Sequence, residues 1–224
     1  RSGAADSIAA ADGAGVAVCE VARLGTTAGS ATDRFGASLL TAPSASVTFT
    51  ASATPDTAAA VAIAPASLSL GPTQAATVTV TARDRFGNPS PAAPVTVYLG
   101  SPIRGSLESL GATSGGPGSQ GGVTDASGRL AVRYRAPSAA PATDSIFARG
   151  SSVGPAGILA STAPGSTAGL RVAADSLSWT AGNSERVLVQ AVDAFGNIVL
   201  SDVAEVTMRP AGSVIWSPAS GTLV

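Results

Sequence analysis

The 224-residue chain contains no histidine. That removes the commonest general base and metal ligand, and with it any Ser–His–Asp hydrolysis. It contains no lysine either; all 13 basic residues are arginine. Schiff-base chemistry and Lys–Asn isopeptide cross-links are therefore excluded. A single cysteine, Cys19, rules out a disulfide within the chain. Aromatic residues make up 4% and charged residues 12%, with a formal net charge of −1. So little positive charge provides no field for nucleic acid or anionic lipid. Apolar runs are short and broken by Ser, Thr, Gly and Pro, which excludes a legible membrane-spanning helix. With Arg1 first and Met208 the single methionine, the sequence is expected to be processed or cut from something longer.

What is present is small and β-branched. Apolar residues reach 45%, mostly Ala and Val, alongside 26 Gly and 15 Pro. The six residues "DRFGNP" (84–89) return as "DAFGNI" (193–198), a spacing of 193 − 84 = 109 residues. That is about the length of one small all-β domain. The match extends outward. "ATVTVTARDRFGN" (76–88) aligns with "ERVLVQAVDAFGN" (185–197), placing Val78, Val80 and Ala82 over Val187, Val189 and Ala191. These are alternate positions, so each set lies on one face of a strand. Upstream, "TAAAVAIAPASLSL" (57–70) matches "STAGLRVAADSLSW" (166–179), and "VTFTASATP" (47–55) resembles "AGILASTAP" (156–164). A further echo sets "ADSIAAADG" (5–13) against "TDSIFARGS" (143–151), an offset of 138. It implies about 29 extra residues in the first copy before its last strand.

Strands are expected at roughly 59–64, 67–70, 76–83, 93–99, 105–110, 121–124, 129–136, 144–149 and 156–162, with the turn clusters "GPTQ", "DRFGNPSP", "GATSGGPGSQGG" and "TDASG" between them. No helical period of adequate length survives among the Gly and Pro residues. In "RLAVRYRA" (129–136), Leu130, Val132 and Tyr134 point to a core, and Arg129, Arg133 and Arg135 point to water. Within "DRFGNP", Gly87 is free to take a positive φ, Asp84 accepts from turn amides, Phe86 plugs the end of the sandwich, and Pro89 stops the ladder.

"VTARDRFGNPSPAAPVTVYL" followed by "GGVTDASGRLAVRYRAP" resembles the bacterial Ig-like repeats of surface proteins, especially the invasin/intimin-like group. The resemblance implies an all-β chain of tandem Ig-like antiparallel β-sandwich domains, one complete and two partial. Residues 1–55 are read as the C-terminal part of one domain, 56–164 as a complete domain, and 165–224 as the N-terminal part of a further one. It also implies an extracellular or cell-surface location and a structural role in a bacterial filament or adhesin stalk. The alternatives are an Ig-like adhesion module binding a glycan or protein, for instance through loops such as 111–122, and an accessory domain of a secreted enzyme.

The candidate site residues have two readings each. Asp84, Asn88 and Asp125 either cap turns or hold Ca²⁺; capping is favoured, because no D-x-D cluster accompanies them. Cys19 sits in "GVAVCEVARL" on one face with Ala17 and Val21, a buried small hydrophobe ahead of a reactive or intermolecular thiol. Trp179 stands where Leu70 stands in the preceding copy, so Trp179 and Trp216 read as packing residues before a sugar platform. The stripe of Arg129, Arg133 and Arg135 is either a solvated face or a surface for an acidic glycan or neighbouring subunit. No N-x-[ST] acceptor is usable, since Pro89 follows Asn88. No catalytic, cofactor-binding or metal-ligating set is assigned, no cofactor is implied, and the chain is expected not to be an enzyme. Its expected partners are copies of itself or further repeats, head to tail: the first strands in 165–224 of one molecule would complete the last strands in 1–55 of the next, or the missing strands belong to one longer polypeptide. Nucleic-acid binding and membrane insertion of this segment are not expected, and a glycan stays open as a partner.

Overall fold

The computed structural model describes residues 8–18, 24–111, 113–172 and 188–200. Among them there is no helix. The strands are β1 (Gly29–Ser38), β2 (Ser46–Ala53), β3 (Ala60–Ala64), β4 (Ser67–Leu70), β5 (Ala75–Arg83), β6 (Pro94–Leu99), β7 (Ser106–Ser109), β8 (Thr113–Gly116), β9 (Ser119–Val123), β10 (Arg129–Arg135), β11 (Ala142–Gly150), β12 (Ala156–Thr162), β13 (Thr167–Val172) and β14 (Val189–Asp193).

Two sheets face each other between residues 60 and 162. One has the order β3-β5-β10-β7, the other β4-β12-β11-β6-β9-β8. All pairs are antiparallel except β4 with β12. The chain changes sheet between β3 and β4, at Pro65, which follows a cis peptide bond. This is an Ig-like β-sandwich. Its core follows the alternation of the strands: Val78, Val80, Leu130, Val132 and Tyr134 from one sheet meet Val95, Val97, Leu99, Ile146, Ala148, Ile158 and Ala160 from the other. The core combines Val and Ala with Leu, Ile and the single aromatic Tyr134, so it depends on close interdigitation of mostly aliphatic side chains. The expected buried set, Val78, Val80, Val95, Val97, Leu130, Val132 and Tyr134, is buried, and Arg129, Arg133 and Arg135 are exposed. The register of β10 is therefore as the alternation predicts.

Two further two-stranded sheets flank the sandwich, β1-β2 and β13-β14. Their pairing repeats that of the sandwich. Arg171 faces Gln190 as Ala62 faces Thr81, 109 residues earlier. Asp33 faces Ala51 as Asp144 faces Ala160. This corrects one expectation. The strand equivalent to β11 is β1, "GSATDRFGAS", aligned through Ala31-Thr32-Asp33 on Ala142-Thr143-Asp144 with an offset of 142 − 31 = 111. Residues 8–13 are not in a strand, and the 29 extra residues disappear. In the echo at 5–13, Asp6 and Ser7 lie outside the described residues, and the pairing supports the Ala31-Thr32-Asp33 alignment instead.

A second correction concerns "GATSGGPGSQGG". Instead of an open turn cluster it folds as a hairpin, β8 against β9, closed by Pro117 and Gly118. Glycine normally weakens a strand. Here Gly115 is needed for close approach, because a Cβ there would collide with the Ser119 carbonyl oxygen.

One buried polar group anchors the sandwich. Asp144 is 1% exposed. Its Oδ2 accepts from Tyr134 Oη at 2.7 Å and from the Gly105 N–H at 2.7 Å, and its Oδ1 accepts from the Arg104 N–H at 2.9 Å. Burial raises the Tyr134 phenol above its ordinary pKa, and the hydrogen bond and charge of Asp144 raise it further. The hydroxyl is thus kept as a donor, and the loop between β6 and β7 is pinned to the core. Tyr134→Phe removes one of the three donors from a carboxylate that water does not reach. It is expected to lower unfolding stability in urea by about 1–3 kcal/mol without changing the fold; unchanged stability would refute this account of the anchor.

Candidate functional site

The repeated "DxFGN" segments close the sheets at corresponding ends, and they are built bond for bond alike. The Asp84 N–H donates to the Asn88 carbonyl (3.0 Å), and the Gly87 N–H to the Asp84 carbonyl (3.1 Å). Asp84 Oδ1 accepts from the N–H groups of Phe86 (2.8 Å) and Asn88 (2.9 Å). Its Oδ2 accepts from the Asp56 N–H (3.1 Å) and from Asn88 Nδ2 (2.8 Å). In the second copy, Asp193 Oδ1 accepts from Phe195 (2.8 Å) and Asn197 (2.9 Å), and Oδ2 from Gly165 (2.8 Å) and Asn197 Nδ2 (3.0 Å). Gly87 and Gly196 take φ values of 87° and 82°, the left-handed region that favours glycine.

The asparagine does a second thing that the turn itself does not require. Asn88 Nδ2 also donates to the Thr26 carbonyl (2.8 Å), and Asn88 Oδ1 accepts from the Ala28 N–H (3.0 Å). Thr26 and Ala28 immediately precede β1 of the flanking sheet. Asn197 repeats this: Nδ2 donates to the Ser138 carbonyl (2.8 Å), and Oδ1 accepts from the Ala140 N–H (2.8 Å). Ser138 and Ala140 precede β11 of the sandwich. Each side-chain amide thus pairs with a backbone donor and a backbone acceptor across a junction, like one rung of a β-ladder. Asp56 and Gly165, which stand just before β3 and β13, are tied in through the neighbouring aspartates. The sandwich is therefore stitched to the sheet before it through Asn88 and to the sheet after it through Asn197.

Two further turns use the same aspartate geometry without the asparagine. In "DASGR", Asp125 Oδ1 accepts from Ser127 (2.8 Å) and Arg129 (2.9 Å). In "DGAGV", Asp12 Oδ1 accepts from Ala14 and Val16, both at 2.9 Å. Gly15 and Gly128 have φ of 77° and 70°. The spacing 125 − 12 = 113 makes "DGAGVAV" the earlier counterpart of "DASGRLAV". That likeness was readable in the sequence, and comparing glycine positions relative to each Asp would have found it.

Asp84 and Asn88 lie within one turn, and Asp125 belongs to another. The oxygens of Asp84 are occupied by N–H donors, so they meet the turn's own needs rather than a cation's. Among the described residues, no three His, Cys, Asp or Glu side chains group as a metal site. Phe86 does not plug the sandwich. It is 47% exposed, with the Arg85 guanidinium 4.7 Å from its ring centre. Its counterpart Phe195 lines a junction cleft of about 280 Å³ with Gly71, Pro72, Gln74 and Ser166. The sandwich is already filled by its own Val, Leu, Ile, Ala and Tyr134 side chains, so the ring stays at the rim. Cys19, Trp179, Trp216 and Val187 lie outside the described residues.

No family model matches the chain, and no curated protein matches it. Solved structures with a similar fold include domains 1–6 of the surface layer protein SbsC (20% identity, TM-score 0.38, over 69% of this chain and 18% of that one). Domains 5–6 of the same S-layer protein match at 21% identity with a TM-score of 0.37, over 65% of this chain and 66% of that one. The adhesin InvE of Yersinia pseudotuberculosis matches at 21% identity with a TM-score of 0.35, over 52% of this chain and 29% of that one. At these identities and TM-scores the likenesses assign neither a family nor a function.

The electrostatics of the turns give a test. Burial alone raises the carboxyl of Asp84; the Asn88 amide and the N–H groups of Asp56, Asn88 and Phe86 outweigh it, and the pKa falls from 3.8 to about 2. Asp193 behaves alike: burial raises it, Asn197, Gly165 and Phe195 outweigh this, and it too falls to about 2. A carboxyl with a lowered folded-state pKa contributes stability that is fully present above its unfolded value and is lost as pH falls through the folded value. Thermal midpoints should therefore decline between about pH 4 and pH 2. Asp84→Asn with Asp193→Asn should lower the midpoint at neutral pH and flatten that acid limb; an equally steep limb in the double variant would refute the assignment.

Proposed function

We propose that the chain is a structural repeat module of an extracellular bacterial filament or adhesin stalk, in which Ig-like sandwiches follow one another end to end. The observation that carries this reading is the pair of asparagine stitches at Asn88 and Asn197, which recur with the same two-bond geometry 109 residues apart. A lone folded domain has no use for an amide that pairs with the backbone before the neighbouring sheet. A chain of sandwiches does, because the amide fixes the angle from one member to the next. The resemblance of the motifs to the invasin/intimin-like repeats supports the same reading, in which 1–55, 56–164 and 165–224 are one complete and two partial repeats.

The partners in this reading are further repeats of the same kind, met head to tail. The chain is read as non-enzymatic on chemical grounds: it has neither His nor Lys, and the carboxylates of Asp84, Asp125 and Asp193 are occupied in turns. A stalk works by length and stiffness, and polar junction bonds with low net charge serve both. Asn88→Ala combined with Asn197→Ala removes both side-chain rungs and one amide bond to each aspartate, while leaving the backbone N–H bonds that close the turns. Small-angle scattering should then show a broader distribution of end-to-end distances, with the sandwich core and its urea midpoint nearly unchanged. An identical scattering profile for the double variant would remove the basis of the stalk reading.

A further inference from the structure

The outward face of the β3-β5-β10-β7 sheet carries a charge arrangement that the stalk reading does not use. On β10 the exposed positions are Arg129, Arg133 and Arg135; on β5 Thr77 and Arg83 are exposed and Thr79 and Thr81 half-buried; on β7 the outward positions include the half-buried Glu108. Four arginines and one glutamate give a net charge of +3 on strands of a chain whose total is −1. Arg135 is held by Glu108, Nε to Oε1 at 2.6 Å, and Arg83 Nη1 donates to the Gly87 carbonyl at 2.6 Å. The guanidinium groups of Arg129 and Arg133 have no ion-pair partner among the described residues.

The register lays these groups out as a track. Arg129 pairs with Thr81 and Arg133 with Thr77, so each unpaired guanidinium has a hydroxyl directly across from it. Arg83 is the diagonal neighbour of Arg129, about 7–8 Å away. Arg133 and Arg135 are about 7 Å apart along β10. From Arg83 to Arg135 the track runs on the order of 25 Å along the strands. Guanidinium groups bind carboxylates through paired N–H donors, and threonine hydroxyls both donate and accept. The face has no aromatic residue, and its only apolar side chains are alanines such as Ala60, Ala62 and Ala131. It therefore lacks the aromatic and large apolar anchors of a protein interface and the stacking surfaces of a single-stranded nucleic-acid site.

We propose that the Arg83–Arg129–Arg133–Arg135 face binds a linear polysaccharide bearing carboxylates, its acid groups on the guanidiniums and its hydroxyls on the threonine row. The observation that selects this occupant is charge complementarity on a flat, hydroxyl-lined sheet that offers nothing for apolar docking.

The test uses the whole chain and polygalacturonate oligosaccharides in about 50 mM salt, where screening is weak. Titration should show saturable binding that is lost in about 0.5 M salt, with dextran inert. Arg129→Gln with Arg133→Gln should weaken binding by about tenfold or more. Both residues are exposed, so the thermal midpoint should stay in place. Arg149→Gln, on the opposite sheet, controls for loss of an arginine away from the face and should bind like the unaltered chain. No binding by the unaltered chain overturns the proposal, and so does retained affinity in the double variant. An equal loss in the Arg149 control also overturns it. Preference for polyglutamate over polygalacturonate would transfer the face to an acidic protein and overturn it too.

Discussion

A carboxylate sealed from water organises each "DxFGN" turn and the junction beyond it: Asp84 and Asp193 are each 4% exposed. In the D-x-x-G-x segments the aspartate takes the N–H groups two and four residues on, and the glycine supplies the left-handed step that brings them to it. The turn is thereby closed by charge-assisted bonds rather than by packing. That suits a chain with few large hydrophobes. Tyr134 is the one fully buried aromatic side chain among the described residues, so the loops without such an anchor are closed by local polar bonds.

The same economy explains the junctions. The junction bonds that the described residues make are polar. Phe86 and Phe195 stay at the rim, half exposed. Instead, the asparagine that ends each "DxFGN" turn offers its amide to the backbone of the sheet before it. The aspartate orients that amide by accepting one of its Nδ2 hydrogens, leaving the other hydrogen and the carbonyl oxygen for the neighbour. Turn closure and junction are thus one network, so a change at the aspartate reaches the junction without touching it.

The interior contrasts with the turns. Asp144 is sealed under Tyr134 and two backbone N–H groups, and its role is to pin the loop entering β7. Its sequence counterpart Asp33 accepts from the Gly25 N–H at 2.9 Å, outside a closed sandwich. The same Ala-Thr-Asp tripeptide therefore serves a buried anchor in one place and an exposed loop contact in another. What differs is whether a second sheet covers it.

Much of the fold was legible because strands write their burial at period two. Val78, Val80, Leu130, Val132 and Tyr134 declare the core and the three β10 arginines declare the outside, and a shift of one residue would reverse both. The 109-residue spacing was legible for the same reason: turn chemistry at Asp84 and Asp193 cannot be met by many residue types. The β8-β9 hairpin was not legible, because "TSGG" and "SQGG" carry no alternation, and glycine there serves a backbone approach visible only once the strands meet. The true partner of β2 was missed because Asp-Ser-Ile matched by identity while Ala-Thr-Asp matched by pairing. By itself the sequence determined the all-β class, the turn positions and the inward faces, since these depend on local sterics and alternation. Only the tertiary structure decided what Asn88 and Asn197 bond to, why Asp144 is buried, and that Arg83 joins the β10 arginines on one face, because each of these is a contact between residues far apart in the chain.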